Sequence, residues 1–535
     1  MKVIGIILFV IFLIILFYFL TYKTKTNFSK SKSAEYPTIA ENISRDPNIV
    51  EVSLTASDNE IQILDEENTK LYNYNKSFPG PLIEGKVGDT LIVNFFNDLV
   101  EPTSILWHGL TSSAFDNSEN GPVPPGSSYI YKFKLNRAGL FSYRSNTNSR
   151  EQTSMGLFGV VLVKDYKEDA LYKMPANERV LAFSDLNLDT ANQVDIEFSS
   201  IPEEKLYQQV NGILGNVILT NGVYDGHISL CKNVPVRLYL VNCATDRFMK
   251  ISLEGHDMLR VGGDQGVLER PILIKEENGL VLTCGERAEI VFVPRRGSVR
   301  LFTESNVRGI QNLAQDEAGN FELNEKIESE SEKLVLVTFV MDSGNAGDAE
   351  EDLQIPLHLK KVKKIKVDHC TPVISINYEN IGDIKIMKDM TYILEIKNDS
   401  LLPNNFYLHG CTFQHIDTIF NGKRVENKLL EDKDTIYVPT QSVVRLAATF
   451  KSNTIFSSRI LTRSEQGDQG LIQIVADIKD VNMTSYSSFF KGDHSACLTK
   501  SGKYVKDDLS NTLDDLTKSL ILCKCGSRKS ACSCV

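Results

Sequence analysis

From Val50 to about Asp477 the sequence consists of short apolar runs that alternate with polar residues and stop at Gly, Pro or Asn. Val50-Glu-Val-Ser-Leu-Thr, Thr90-Leu-Ile-Val-Asn-Phe and Tyr129-Ile-Tyr-Lys-Phe set the pattern in the first third. A side-chain period of two turns one face of a strand to a core and the other to solvent. Closely spaced runs of this kind, with turn residues between them, predict a β-sandwich or barrel. Gly156-Leu-Phe-Gly-Val-Val-Leu-Val163 is apolar throughout and reads as a buried closing strand. A second set of runs starts near Arg179-Val-Leu-Ala-Phe-Ser-Asp185, and a third spans Ile365 to about Asp477. A chain of 535 residues is too long for one core. The predicted units are therefore residues 47–166, 167–340 and 360–480, with a polar, acidic linker at 341–359.

Both ends differ from this body. Residues 1–20 are apolar after Lys2 and long enough to span a bilayer. Phe17-Tyr-Phe-Leu-Thr-Tyr follows where a cleavage site would need small residues, so residues 1–22 read as an uncleaved transmembrane signal anchor. Residues 23–46 read as a polar stalk. Four lysines (Lys23, Lys25, Lys30, Lys32) follow the span and one precedes it, which on charge alone puts the body in the cytoplasm. In residues 481–535, Leu509, Leu513, Leu516 and Leu520 recur at helical spacing, and Cys523-Lys-Cys and Cys532-Ser-Cys close the chain. A short amphipathic helix and a Cys-rich tail are expected there. The Cys-x-Cys pairs could hold a soft metal ion or form disulfides, and the sequence gives no pairing for the ten cysteines. A net charge of −11 argues against a nucleic-acid partner, because a phosphate backbone would repel it. Asn-x-Ser/Thr triplets at Asn27, Asn42, Asn75, Asn398 and Asn482 are candidate glycosylation sites.

Thr103-Ser-Ile-Leu-Trp-His-Gly-Leu110, preceded by Phe78-Pro-Gly-Pro-Leu-Ile and Gly88-Asp89, is similar to the first copper motif of the multicopper oxidases. Pro122-Val-Pro-Pro-Gly, Asn216-Val-Ile-Leu-Thr-Asn-Gly222, Arg237-Leu-Tyr-Leu-Val-Asn242, Gly285-Glu-Arg-Ala-Glu289 and Leu408-His-Gly-Cys-Thr-Phe413 follow in the family's order. The resemblance implies an all-β fold of three tandem cupredoxin-like Greek-key β-sandwich domains. Added to it are the N-terminal transmembrane helix, the short C-terminal helix and the Cys-rich tail. It also implies an exported body, against the charge count, and the family is taken as the better guide to an extracytoplasmic location.

The family's chemistry is an electron relay from a Cys-ligated copper to a cluster held by eight histidines. Thiolate and imidazole suit copper, and few other side chains do. Residue by residue, the resemblance implies loss of that site. The first His-x-His falls on Leu106 and His108, and the second on Arg144 and Asn146. The third, His-Pro-x-His-x-His, falls on Asn404, Tyr407 and His409. The segment Ser457–Gly470, where His-Cys-His belongs, has neither residue type. His108 and His409 are thus the remnants of the metal set, while Leu106, Arg144, Asn146, Asn404 and Tyr407 are vacated ligand positions. Arg144 would repel a cation and is expected to plug the centre by bonding Asn146, Tyr407 or backbone carbonyls. Asp264-Gln-Gly266 reads as a loop-shaping turn. The expected function is a membrane-anchored, non-catalytic binding or structural module with no cofactor and a protein partner. The alternative is a laccase-like, copper-dependent oxidoreductase with a partial site.

Overall fold

The computed structural model describes residues 32–475, apart from 65–66, 111–120, 168, 170, 172–176, 296, 305–312, 316–320, 324–331, 343–354, 369–370, 379–383 and 421. Beyond 475 it describes only the strand residues 485–486, 497–498, 522–525 and 532–533. The expected membrane anchor at 1–22 and the expected helix near 509–520 lie outside the described residues. Among the described residues, no helix is long and apolar enough to cross a membrane.

Apart from a two-stranded sheet (Leu313–Gln315 with Phe321–Leu323) and a three-stranded one (Cys497–Leu498, Leu522–Cys525, Cys532–Ser533), the described strands form three successive pairs of sheets with one repeating topology. In the first pair, one sheet orders Thr69–Tyr74, Ile49–Ile61, Thr90–Asn97 and Ser128–Lys134. The other orders Ile83–Lys86, Phe158–Lys164, Gly139–Ser145 and Ile105–His108. Each contains one parallel pair, Ile49–Ile61 with Thr90–Asn97 and Ile83–Lys86 with Phe158–Lys164. The second unit repeats this with Asn177–Leu186 beside Val236–Asn242 and His227–Cys231 beside Lys333–Asp342. The third does so with Pro372–Asn377 beside Thr391–Asn398 and Ile384–Met387 beside Gln469–Val475. Parallel neighbours cannot be joined by a hairpin, so the chain must cross to the other sheet between them. This is a Greek-key sandwich made three times, as the resemblance implied.

The first core is aromatic. Trp107 packs edge-on against Tyr131 at 5.6 Å and lies 5.5 Å from Tyr143, its cross-strand partner. Both rings and the indole are fully buried. In the second unit, Val236–Asn242 and Arg287–Phe292 are buried at every position. Such strands need cover on both faces. The outer cover comes from the first unit, where Leu82, Leu140, Val160 and Leu162 form one cluster with Ala182, Tyr239 and Val241.

Two expectations are corrected here. Residues 32–46 are not a free stalk. Ala34 is buried, its N–H donates to His227 O at 2.8 Å, and its carbonyl accepts from Asn221 Nδ2 at 2.8 Å. Leu82 N donates to Thr38 O and Ala40 N to Leu82 O, both at 2.8 Å. A polar segment has satisfied its backbone by pairing with two domains rather than with water. Asn398 is buried and its Nδ2 donates to the carbonyls of Leu402, Val438 and Pro439, so it is no glycan acceptor. At the end of the expected linker, Leu359 packs with Val261, Val267 and Val291 of the second unit.

Candidate functional site

Of the residues singled out by the motifs, Leu106, His108, Arg144, Tyr407 and His409 meet where the three domains touch. The register sets Leu106 opposite Arg144 and His108 opposite Ser142. From the third domain, strand Asn404–Leu408 is buried along its whole length and brings Tyr407 to the same place. The His108 and Tyr407 rings lie 4.2 Å apart, and Tyr407 Oη bonds His409 Nδ1 at 2.8 Å. The two retained histidines therefore flank one tyrosine. Thr435 gives its hydroxyl proton to Asp434 Oδ1 at 2.7 Å, so His108 Nε2 donates to Thr435 Oγ1 at 3.0 Å. Burial first, then the charge of Arg459, holds the His108 imidazole well below its ordinary pKa and neutral. Its Nδ1 keeps a lone pair with no hydrogen-bond partner. Gly285 sits against this ring, and a Cβ there would lie 2.5 Å from His108 Cε1.

Other vacated positions point elsewhere. Asn146 is exposed. Asn404 is buried, donates to Asp468 Oδ2 at 3.0 Å and accepts from the Ser458 hydroxyl at 2.8 Å. Arg144 does not bond Asn146 or Tyr407 as expected. It donates through Nη1 to Ser149 Oγ at 2.9 Å, because the helix Ser149–Ser154 starts directly beneath it. Of the described body cysteines, Cys231, Cys243 and Cys411 are free thiols, and Cys284 directs its thiol at Arg247 O at 3.6 Å. Cys411 points its thiol at the carbonyls of Thr412 and Thr449, not at His409.

Beside the histidines lies an ion-pair lock that the motifs did not reveal. Arg287 is fully buried and donates to both oxygens of Asp434, at 2.7 and 2.6 Å. It also reaches Leu140 O at 3.0 Å and Asp264 O at 2.9 Å, so one guanidinium ties all three domains. Asp264 is more than a loop-shaping residue. Its carboxylate accepts from the backbone N–H groups of Arg287 and Thr435 and pairs with Lys433 at 3.2 Å. Lys433 also meets Glu286 at 3.0 Å.

His108, Arg144, Thr153, Cys243 and Gly285 line a cavity of about 20 Å³, closed from the third domain by Arg459 and Leu461. Arg459 lies in the segment that holds neither Cys nor His. Its guanidinium stands 4.8 Å over the Tyr407 ring, and burial pulls its pKa down to about 10, leaving it charged at neutral pH. Arg144 is lowered too, by burial and then by Arg459. This donor set does not fit a copper cluster. Guanidinium groups offer N–H and positive charge rather than lone pairs, and one nitrogen of each histidine is engaged by a neighbour. Among the described residues, no three His, Cys, Asp or Glu side chains converge as a metal site would require.

Three two-sheet sandwiches joined around a buried polar seam define a three-domain, cupredoxin-like protein. Residues 55–168 match the family model described as multicopper oxidase. The chain is 22% identical over 474 residues to multicopper oxidase mco of Staphylococcus epidermidis, covering 84% of this chain and 95% of that protein. It is also 23% identical over 429 residues to cell division protein FtsP of Proteus mirabilis, with 76% and 86% covered. A multicopper oxidase structure from Campylobacter jejuni superposes with a TM-score of 0.68 at 23% identity, over 83% of this chain and 98% of that one. Motif order and fold thus agree with those of multicopper oxidases, and the family model itself matches the first domain.

Proposed function

We propose that this chain is a family member that has given up copper chemistry and works as a non-catalytic binding or structural module for another protein. The N-terminal segment would hold it at a membrane with the body outside the cytoplasm. One observation carries the reading: Arg144 and Arg459 line the small cavity beside His108, where the resemblance implies a copper cluster. Two positive charges in a buried space oppose the entry of a cation. The likeness to a relative named for cell division rather than oxidation supports the same reading. Metal analysis of protein made in copper-supplemented medium tests it. The expected result is far less than one copper per chain and no oxidation of a phenol or of cuprous ion. Stoichiometric copper with turnover would defeat it.

The second reading, a copper-dependent oxidoreductase with an atypical site, draws on the names of relatives such as mco and on the closeness of His108 and His409 through Tyr407. It requires both histidines to leave their present hydrogen bonds. H108Q with H409Q distinguishes the two, because only an oxidoreductase would lose copper or activity.

A further inference from the structure

We infer that the cavity shared by Arg144 and Arg459 is a binding site for one small monovalent inorganic anion of chloride size and chemistry. This deepens the proposed function and rests on copper being absent there. Arg459 is 6% exposed, and its side-chain Nε has no hydrogen-bond partner. The Nε of Arg144 is likewise buried and unpartnered, although the residue as a whole is half-buried. Among the described residues, neither guanidinium has a carboxylate within ion-pair distance. The nearby Asp434 cannot serve both, because its oxygens already accept from Arg287, Thr435 and Gln265. Cys243 supplies no negative charge either, since burial pushes its thiol up to about 12.

Charges withdrawn from water without a counter-charge are strongly unfavourable, and Arg keeps its proton rather than shed it. An anion between the two guanidinium groups supplies the missing charge. Thr153, 4% exposed and with an unpartnered hydroxyl, adds a third donor. His108 Nδ1 is the one acceptor among them and takes no part in holding the anion. Size favours a compact ligand: the cavity has room for the centre of about one water-sized sphere, which suits a single halide ion. The half-buried Arg144 gives the way in.

The test measures melting temperature of the full-length protein in sodium chloride, bromide, sulfate and gluconate at equal ionic strength, with copper assayed on the same samples. Chloride and bromide are expected to give a saturable rise of about 3 °C over gluconate, absent with sulfate and lost in R459Q. An equal response in R459Q, or the same response to sulfate, overturns the inference. Should R459Q not fold, bromide anomalous scattering from crystals of the unaltered protein decides. A peak between the two guanidinium groups supports the site, and none at saturating bromide overturns it. Copper-free protein indifferent to halide defeats this site alone, whereas stoichiometric copper defeats the proposed function with it.

Discussion

At the scale of single residues, the strongest consequences belong to Asp434. Burial by itself would raise its carboxyl, but the Arg287 guanidinium overcomes that and holds it well below the ordinary carboxylate range. The sign follows. An unfolded Asp takes up a proton near pH ~4, while the folded one does not until far lower pH. The pair's contribution is therefore complete above that value and is lost as pH falls below it, at up to ~1.4 kcal/mol per pH unit. Unfolding free energies of the wild type and D434N between pH 6 and 2 should show the steeper acid loss in the wild type. Equal slopes would remove Asp434 from the account. At neutral pH, D434N leaves Arg287 facing a neutral amide, and a loss of about 3–5 kcal/mol is expected in urea unfolding. The sequence showed Leu106, Arg144 and Asn404 as vacated positions because a motif with fixed spacing frames each one. Asp434 and Arg459 have no such frame. A lone Asp between Lys433 and Thr435 says nothing until a buried Arg from another domain arrives. Arg459 was invisible to a scan for metal ligands because it replaces the ligand's space and not its chemistry.

Secondary elements were far more legible, since a strand buried on one face writes its period into the sequence. The alternating burial of Thr90–Asn97 is the pattern its residues announce. What could not be read was which strands need cover on both faces, because that depends on a neighbouring domain. The segment 32–46 failed for the same reason: polar residues in extended backbone look alike whether they pair or hang free. Glycines give the sharpest test at this scale. Gly109 has φ +83, and a Cβ there would lie 2.7 Å from both Arg287 Nη2 and Asp434 Oδ2. Gly88 has φ +100 with nothing within 4 Å of the same atom. Both alanine variants bear the backbone strain of a positive φ, about 1–2 kcal/mol. Only G109A adds a clash with the lock, so it should be the less stable of the two by a further ~1–3 kcal/mol in denaturant unfolding. Equal stability would mean that the seam yields.

For the whole molecule, three sandwiches are clamped at one point by Arg287, which touches Leu140 in the first domain and Asp434 in the third. Sandwiches with separate cores could melt separately, but a shared buried ion pair couples them. Calorimetry should show one dominant transition in the wild type, and R287M should broaden or divide it as the third domain comes free. A wild-type trace already resolved into three would dispose of the clamp. The three-unit division was readable from length and run spacing, whereas the clamp was not, because its partners are 147 residues apart. The pairing of residues 34–40 has a geometric result of its own. The chain runs from beside His227 of the second domain to beside Leu82 of the first, held at both places by backbone hydrogen bonds. Residues 32–40 are thus fixed along the flank where those domains adjoin. The first two domains are therefore fastened to each other at a second place besides the Arg287 clamp, by a strap whose backbone hydrogen bonds carry no charge.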